Sequence, residues 1–269
     1  MTFDVATYTS LWLITFLCCA LITTALSRMF PQVVAFRFWA IGFYLNGASS
    51  ACFALHLTWR HGVFLVLGAT FALQCRILIW CGLRKLLGIR APWRTGLALS
   101  LLFCALYGGA LAYPLPILFR AALLALFFLP CRLGTLYDIC RPRRTHLSPA
   151  RSIAATGAML ASLNTILPLV LALLNRTNLS LVLANPRTTS ALYAFVFAGD
   201  LLLASGLIVL AFKLLSVERN MLATLDRSAS AHRAARRAMR ALRQSKETLG
   251  AARVHHDDVG YAPTAAGTI

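Results

Sequence analysis

The sequence predicts an all-α fold: a polytopic membrane bundle of about seven transmembrane helices. The N-terminus is expected outside and the C-terminus in the cytoplasm, with a helical extension. Three observations predict this. The first is composition: of 269 residues, 59% are hydrophobic and 13% charged, with a mean hydropathy of +0.73, whereas a soluble domain carries roughly 25% charged residues. The second is recurrence, because apolar runs close to the ~20 residues an α-helix needs to cross ~30 Å of hydrocarbon follow one another along the chain. These runs are continuous rather than alternating, which excludes a β-barrel. The third is where the net charge of +18 lies: most Lys and Arg fall in a few short links and in the tail, as the positive-inside rule requires. The charge therefore reads as orientation, with the lipid bilayer as the partner and nucleic acid not expected.

The elements follow in order. A first apolar run, Thr9 to Leu26, is preceded by Asp4 and by no basic residue, so it reads as a retained helix rather than a secretory leader, which needs a basic start. The second, Phe38 to Leu57, contains Asn46, Gly47, Ser49 and Ser50, small and polar residues that suit helix–helix packing in lipid. The third, Val63 to Leu83, ends in Arg84, Lys85, Arg90 and Arg94. The fourth, Gly96 to Ala112, and the fifth, Ile117 to Tyr137, are joined by a short uncharged turn at Tyr113–Pro116 and should form an antiparallel hairpin. The sixth, Ile153 to Leu174, has Asn164 and an expected kink at Pro168, which neighbouring groups in a membrane bundle tolerate. A polar loop with two glycosylation-type triplets, at Asn175 and Asn178, leads to the seventh run.

Basic residues alternate between the links. One set holds Arg28 and Arg37, then the cluster after the third run, then Arg141, Arg143, Arg144 and Arg151, then the tail; the opposite set is poor in charge. Seven spans satisfy that alternation with the basic set in the cytoplasm. The domain expectation is 1–215 as a seven-helix transmembrane domain, 216–250 as a cytoplasmic helical linker with a basic segment, and 251–269 as a disordered tail. Past Asp226 the chain turns to Ala and Arg, and its thin apolar face cannot support an independent core.

Asp200, Arg76 and Arg120 are the ionisable residues that stand out within apolar runs. Such residues are costly in lipid and face a bundle interior or a wet cavity. Asp200 needs a partner or a proton, with Arg76 or Arg120 as possible partners. The pair is either a switchable element or a static tie. The eight cysteines lie in or beside apolar runs without a C-x-x-C pair, so they read as packing residues with no disulfide framework or metal site. No H-E-x-x-H, G-x-S-x-G or G-x-x-x-x-G-K-[ST] pattern occurs. The expectation is a protein without a catalytic constellation or cofactor. His255-His256-Asp257-Asp258 reads as solvated tail, since adjacent ligands do not close a metal shell.

The seventh run continues without Pro or Gly from the apolar span through Lys213, Glu218, Arg219, Leu222, Leu225 and Asp226. These residues form the expected connector from membrane to cytoplasm.

Three stretches carry a family resemblance: Phe38-Trp39-Ala40-Ile41-Gly42-Phe43, Gly82-Leu83-Arg84-Lys85-Leu86-Leu87-Gly88, and Glu218 to Asp226. With them the chain, over about residues 8–226, resembles the multi-spanning N-terminal sensor regions of bacterial GGDEF-type diguanylate cyclases. In that family the second helix bears a tryptophan, the third ends in a G-L-R-(R/K)-hydrophobic-hydrophobic-G element, and the last leads into the cyclase domain. The resemblance implies a bacterial inner-membrane location, a sensory role, a homodimer through the seventh helix and a cytoplasmic signalling partner. The chain departs from the family after Asp226: Arg227-Ser228-Ala229-Ser230 replaces the L-T-G entry to the cyclase domain, and no GGDEF loop follows. No catalytic or nucleotide-binding residue carries over, and a truncated or frameshifted cyclase is one expectation. Two other classes stand beside the sensor: a small transporter or membrane enzyme with Asp200 as a buried proton or substrate site, and a membrane anchor whose basic tail recruits a partner or lipid.

Overall fold

The computed structural model describes residues 5–113, 115–141, 148–174 and 186–259; the side chains of some α-helical residues, among them Pro168, Glu218, Arg219, Leu222 and Asp226, lie outside that description. The glycosylation-type triplets lie outside it too. Among the described residues all regular structure is helical. In chain order the helices are α1 (Val5–Met29), α2 (Val34–Trp59), α3 (Gly62–Leu86), α4 (Trp93–Ala112), α5 (Ile117–Cys140), α6 (Ser148–Leu174) and α7 (Pro186–Val259). Each contains one of the apolar runs and exceeds it at one or both ends. The chain divides into two compact units, Met1–Lys213 and Leu214–Ile269.

Six of these helices are long and apolar enough to cross a membrane: α1 to α5, and α7 over Ala194–Val217. The distribution of residues between inside and outside fits a bundle in lipid. Large aliphatic side chains face outward, for example Leu21 at 61% exposure, Leu101 at 65% and Leu126 at 70%. Polar ones face inward: Thr23, Asn46, Ser49, Ser100, Arg132 and Ser162 are all buried. A soluble core would reverse that preference for charged and amide side chains, whereas helices in lipid gain from small and polar residues at their contacts.

Within the first unit, α1 packs on α2, α2 on α3, α3 on both α4 and α5, and α5 on α6. A core cluster joins α3, α4 and α5 around Leu73, Phe103, Phe127 and Phe128. The α2–α3 contact is set by two close approaches. Ser49 donates its hydroxyl to the Gly68 carbonyl at 2.7 Å, and the Trp39 indole donates to the Ile79 carbonyl at 3.1 Å. Trp39 lies over Gly82, where any Cβ would collide with the indole. Two of the stretches that carry the family resemblance therefore meet in space.

Helix α3 ends in a Schellman cap. Gly88 has φ +74, its N–H donates to Lys85, and the Ile89 N–H donates to Arg84 at 2.7 Å; only glycine takes that φ without strain.

Helix α7 touches more of the bundle than its place at the end of the chain suggests. Trp12 of α1 meets Phe197, and Phe36 of α2 meets Phe212. The α6 contact is closer still: a Cβ at Gly206 would lie 2.7 Å from the Ala154 Cα, and one at Gly157 would overlap the Leu203 backbone. In the second unit, Arg233, Arg236, Arg237 and Arg240 are exposed along the helix, as is Met239. The helix runs to Val259, past Gly250, where the sequence reading ended the helical linker. Ala251, Ala252 and Arg253 are good helix formers and account for that extension.

Candidate functional site

The buried acid expected in the seventh helix is the centre of the most polar part of the bundle. Asp200 Oδ1 lies 3.3 Å from Arg132 Nη2, and Asp200 Oδ2 lies 3.6 Å from Arg76 Nη2. One carboxylate therefore ties α7 to α3 and α5. Arg132 also donates through Nη1 to the Ala161 carbonyl of α6. Arg76 donates through Nη1 to the Ala72 carbonyl at 2.7 Å and sits 5.0 Å from the Phe128 ring centroid. Burial is deep: the side chains of Arg132, Asp200 and Arg76 are 6%, 14% and 16% exposed.

Their convergence follows from helix geometry. Arg76 is fourteen positions after Gly62, Arg132 fifteen after Ile117, and Asp200 fourteen after Pro186. At 1.5 Å per residue each lies about 21–22 Å from the start of its helix. The two ion pairs put the three side chains at one level, although the apolar span of α7 itself begins only at Ala194.

A cavity opens at that level, with about 30 Å³ of water-accessible volume, room for one or two water molecules. Its polar lining is Asn46, Arg76, Arg132, Thr135 and Asp200, and Cys75 and Cys131 also face it. Thr135 donates its own hydroxyl to the Cys131 carbonyl at 2.8 Å.

Of the expected site residues, the structure brings Asp200 and Arg76 together and adds Arg132. It does not bring in Arg120, which forms no ion pair among the described residues. The correction has a geometric reason: Arg120 is three positions into α5, about 18 Å short of Arg132 along the axis. Of the connector residues, Lys213 closes the first unit and is exposed, and Leu225 is 64% exposed in the second. Glu218, Arg219, Leu222 and Asp226 lie on α7 with side chains outside the described residues.

A second polar cluster was not anticipated. Asp138, near the end of α5, accepts the Trp80 indole N–H at 2.8 Å and lies 3.8 Å from Arg84 Nε. The Arg84 guanidinium lies 5.2 Å from the Trp80 ring, and Gly134 leaves the space that the indole fills. Close by in sequence, Arg151 donates to the Ile139 and Arg141 carbonyls at 2.8 and 2.7 Å, capping the end of α5 where carbonyls lack helical partners. Arg84 and Arg151 belong to the basic links read as orientation signals, and both also hold helix ends.

No group of three or more His, Cys, Asp or Glu side chains is placed to hold a metal among the described residues. The eight cysteines are free thiols. Comparison with protein-family models, with curated proteins and with solved structures returns no match.

Proposed function

We propose that this chain is a small multi-spanning transporter in which Asp200, with Arg76 and Arg132, forms a buried substrate site. The carrying observation is the Asp200 cluster itself: three charged groups from three helices, enclosed at one level beside a water-sized cavity. Intramembrane charges arranged this way mark ion and substrate pathways. Asp200 of α7 reaches α3 through Arg76 and α5 through Arg132, and Arg132 reaches α6 at Ala161. The substrate version is favoured over a pure proton relay. A relay needs a succession of ionisable acids or histidines, and the described lining of the cavity holds one carboxylate and no histidine.

In this proposal α6, 27 residues long, is the seventh span. The charge alternation of the links supports an N-terminus outside and a C-terminus in the cytoplasm, and the family resemblance supports a bacterial inner membrane. The test is flux. In proteoliposomes with an internal pH dye and an imposed ion gradient, a carrier that couples substrate to protons changes the internal pH, and Asp200→Asn abolishes the change. An undiminished signal in Asp200→Asn would remove Asp200 from the pathway.

Two observations favour a second reading, the non-catalytic sensor of the GGDEF-type resemblance. Trp39 seated over Gly82 joins two of the stretches that carry that resemblance, and α7 continues as one helix through the connector residues. In that reading the Asp200 cluster is the two-state element, and α7 transmits its state to a cytoplasmic partner, with a second copy of the chain alongside.

A further inference from the structure

The Asp200 site is unbalanced in two ways that share one remedy. Two guanidiniums face one carboxylate, which leaves a net charge of +1 at a level about 21 Å into each helix. Arg132 cannot relieve this by reaching outward, because its side chain is 6% exposed and fixed at Ala161 and Asp200. The second imbalance is in hydrogen bonding. Each guanidinium carries five N–H donors and no acceptor. Arg132 uses donors on Ala161 and Asp200, and Arg76 one on Ala72, its contact with Asp200 being an ion pair at 3.6 Å rather than a hydrogen bond. The Nε atoms of both are buried without a partner. The site is rich in donors and short of acceptors, and the cavity between its walls is where an acceptor would sit. The ion-pair distances of 3.3 and 3.6 Å are longer than the roughly 2.7–2.9 Å of a charge-assisted bond.

We infer that the cavity lined by Asn46, Arg76, Arg132, Thr135 and Asp200 is a binding site for a small monovalent anion of halide size. Such an ion supplies the missing acceptor to both guanidiniums at once and brings the cluster to neutrality, two cations against two anions. Size selects against larger anions, since the cavity has room for one or two waters and not for a phosphate ester or a lipid headgroup. Asp200 acts as the site's internal competitor, taking one N–H of Arg132 and the ion-pair position beside Arg76. Its removal opens donors and raises the local charge to +2, so an anion binds Asp200→Asn more tightly than the native chain. The inference names the substrate class of the transporter proposed above and rests on that reading. Its test needs no transport.

The experiment is chloride titration of the purified full-length protein in detergent, starting from gluconate buffer. It is read by chloride-35 NMR line broadening and by thermal shift. The native chain should show saturable broadening. Arg132→Gln should weaken it tenfold or more, and Asp200→Asn should strengthen it several-fold. Bromide soaked into crystals should give an anomalous peak between Arg76 and Arg132. If Arg132→Gln fails to fold, Arg76→Gln and the bromide position carry the test. Absence of saturable broadening in the native chain, a bromide peak elsewhere, or unchanged binding in a folded arginine variant would overturn the inference. Chloride binding without flux in proteoliposomes would sustain the anion site and remove the transporter; flux without chloride binding would do the reverse.

Discussion

A carboxylate shared by two buried guanidiniums is unforgiving of substitution. Asp200→Asn leaves Arg76 and Arg132 facing each other without a counter-charge, and breaking a buried pair by removing one partner costs about 3–5 kcal/mol. The melting temperature of the detergent-solubilised protein should fall accordingly. Adding Arg132→Gln to Asp200→Asn restores the native net charge at the site, so the double variant should be more stable than the sum of the single losses, with a coupling of about 0.5–3 kcal/mol. Additive losses would mean that the two side chains do not share a site. Trp39→Phe isolates a smaller effect: it removes the indole N–H given to Ile79 and should lower stability by about 1 kcal/mol in the same melting assay. At this scale the sequence was half legible. Asp200 and Arg76 stand out because their apolar neighbours are long and unbroken. Arg132 was hidden by its proximity to the basic link that follows α5, where an arginine reads as an interfacial anchor. Counting positions from each helix start would have selected Arg132 over Arg120, because a bundle brings together residues of equal depth. Asp138 was masked by the same link, and only its indole and guanidinium partners show that it is held inside.

The elements themselves were readable because each apolar run is both long and bounded. Gly88, Pro92 and the Tyr113–Pro116 turn punctuate the chain where α3, α4 and α5 begin or end. What the runs could not specify was which helices touch. That information lies in small residues whose spacing has no fixed period across two different helices. Gly157, Gly199 and Gly206 bring α6 and α7 to backbone contact, and packing of this kind is the chief source of helix association in lipid. Gly157→Val and Gly206→Val should each reduce thermal stability by about 1–3 kcal/mol or more, the cost of overpacking a close contact. Leu163→Val, at a position 47% exposed on α6, serves as a control that should change little. Equal behaviour of the three variants would contradict the α6–α7 crossing.

For the molecule as a whole, orientation and flux are the questions that matter. In the proposed orientation the last span ends in the cytoplasm, so a reporter fused after Leu222 should be active only as a cytoplasmic enzyme; activity of a periplasmic reporter at that site would reverse the orientation. The central claim is that the Asp200 cluster handles a solute rather than merely holding helices together. The measurement that tests it most directly is charge displacement on a solid-supported membrane, with the native chain and Asp200→Asn reconstituted at equal density and challenged with pH jumps, chloride and acetate. The account predicts turnover currents from the native chain for at least one of these solutes, and from a folded Asp200→Asn protein at most the brief transient of anion binding, without turnover. No current from the native chain under any challenge, or equal currents from both proteins, would contradict it.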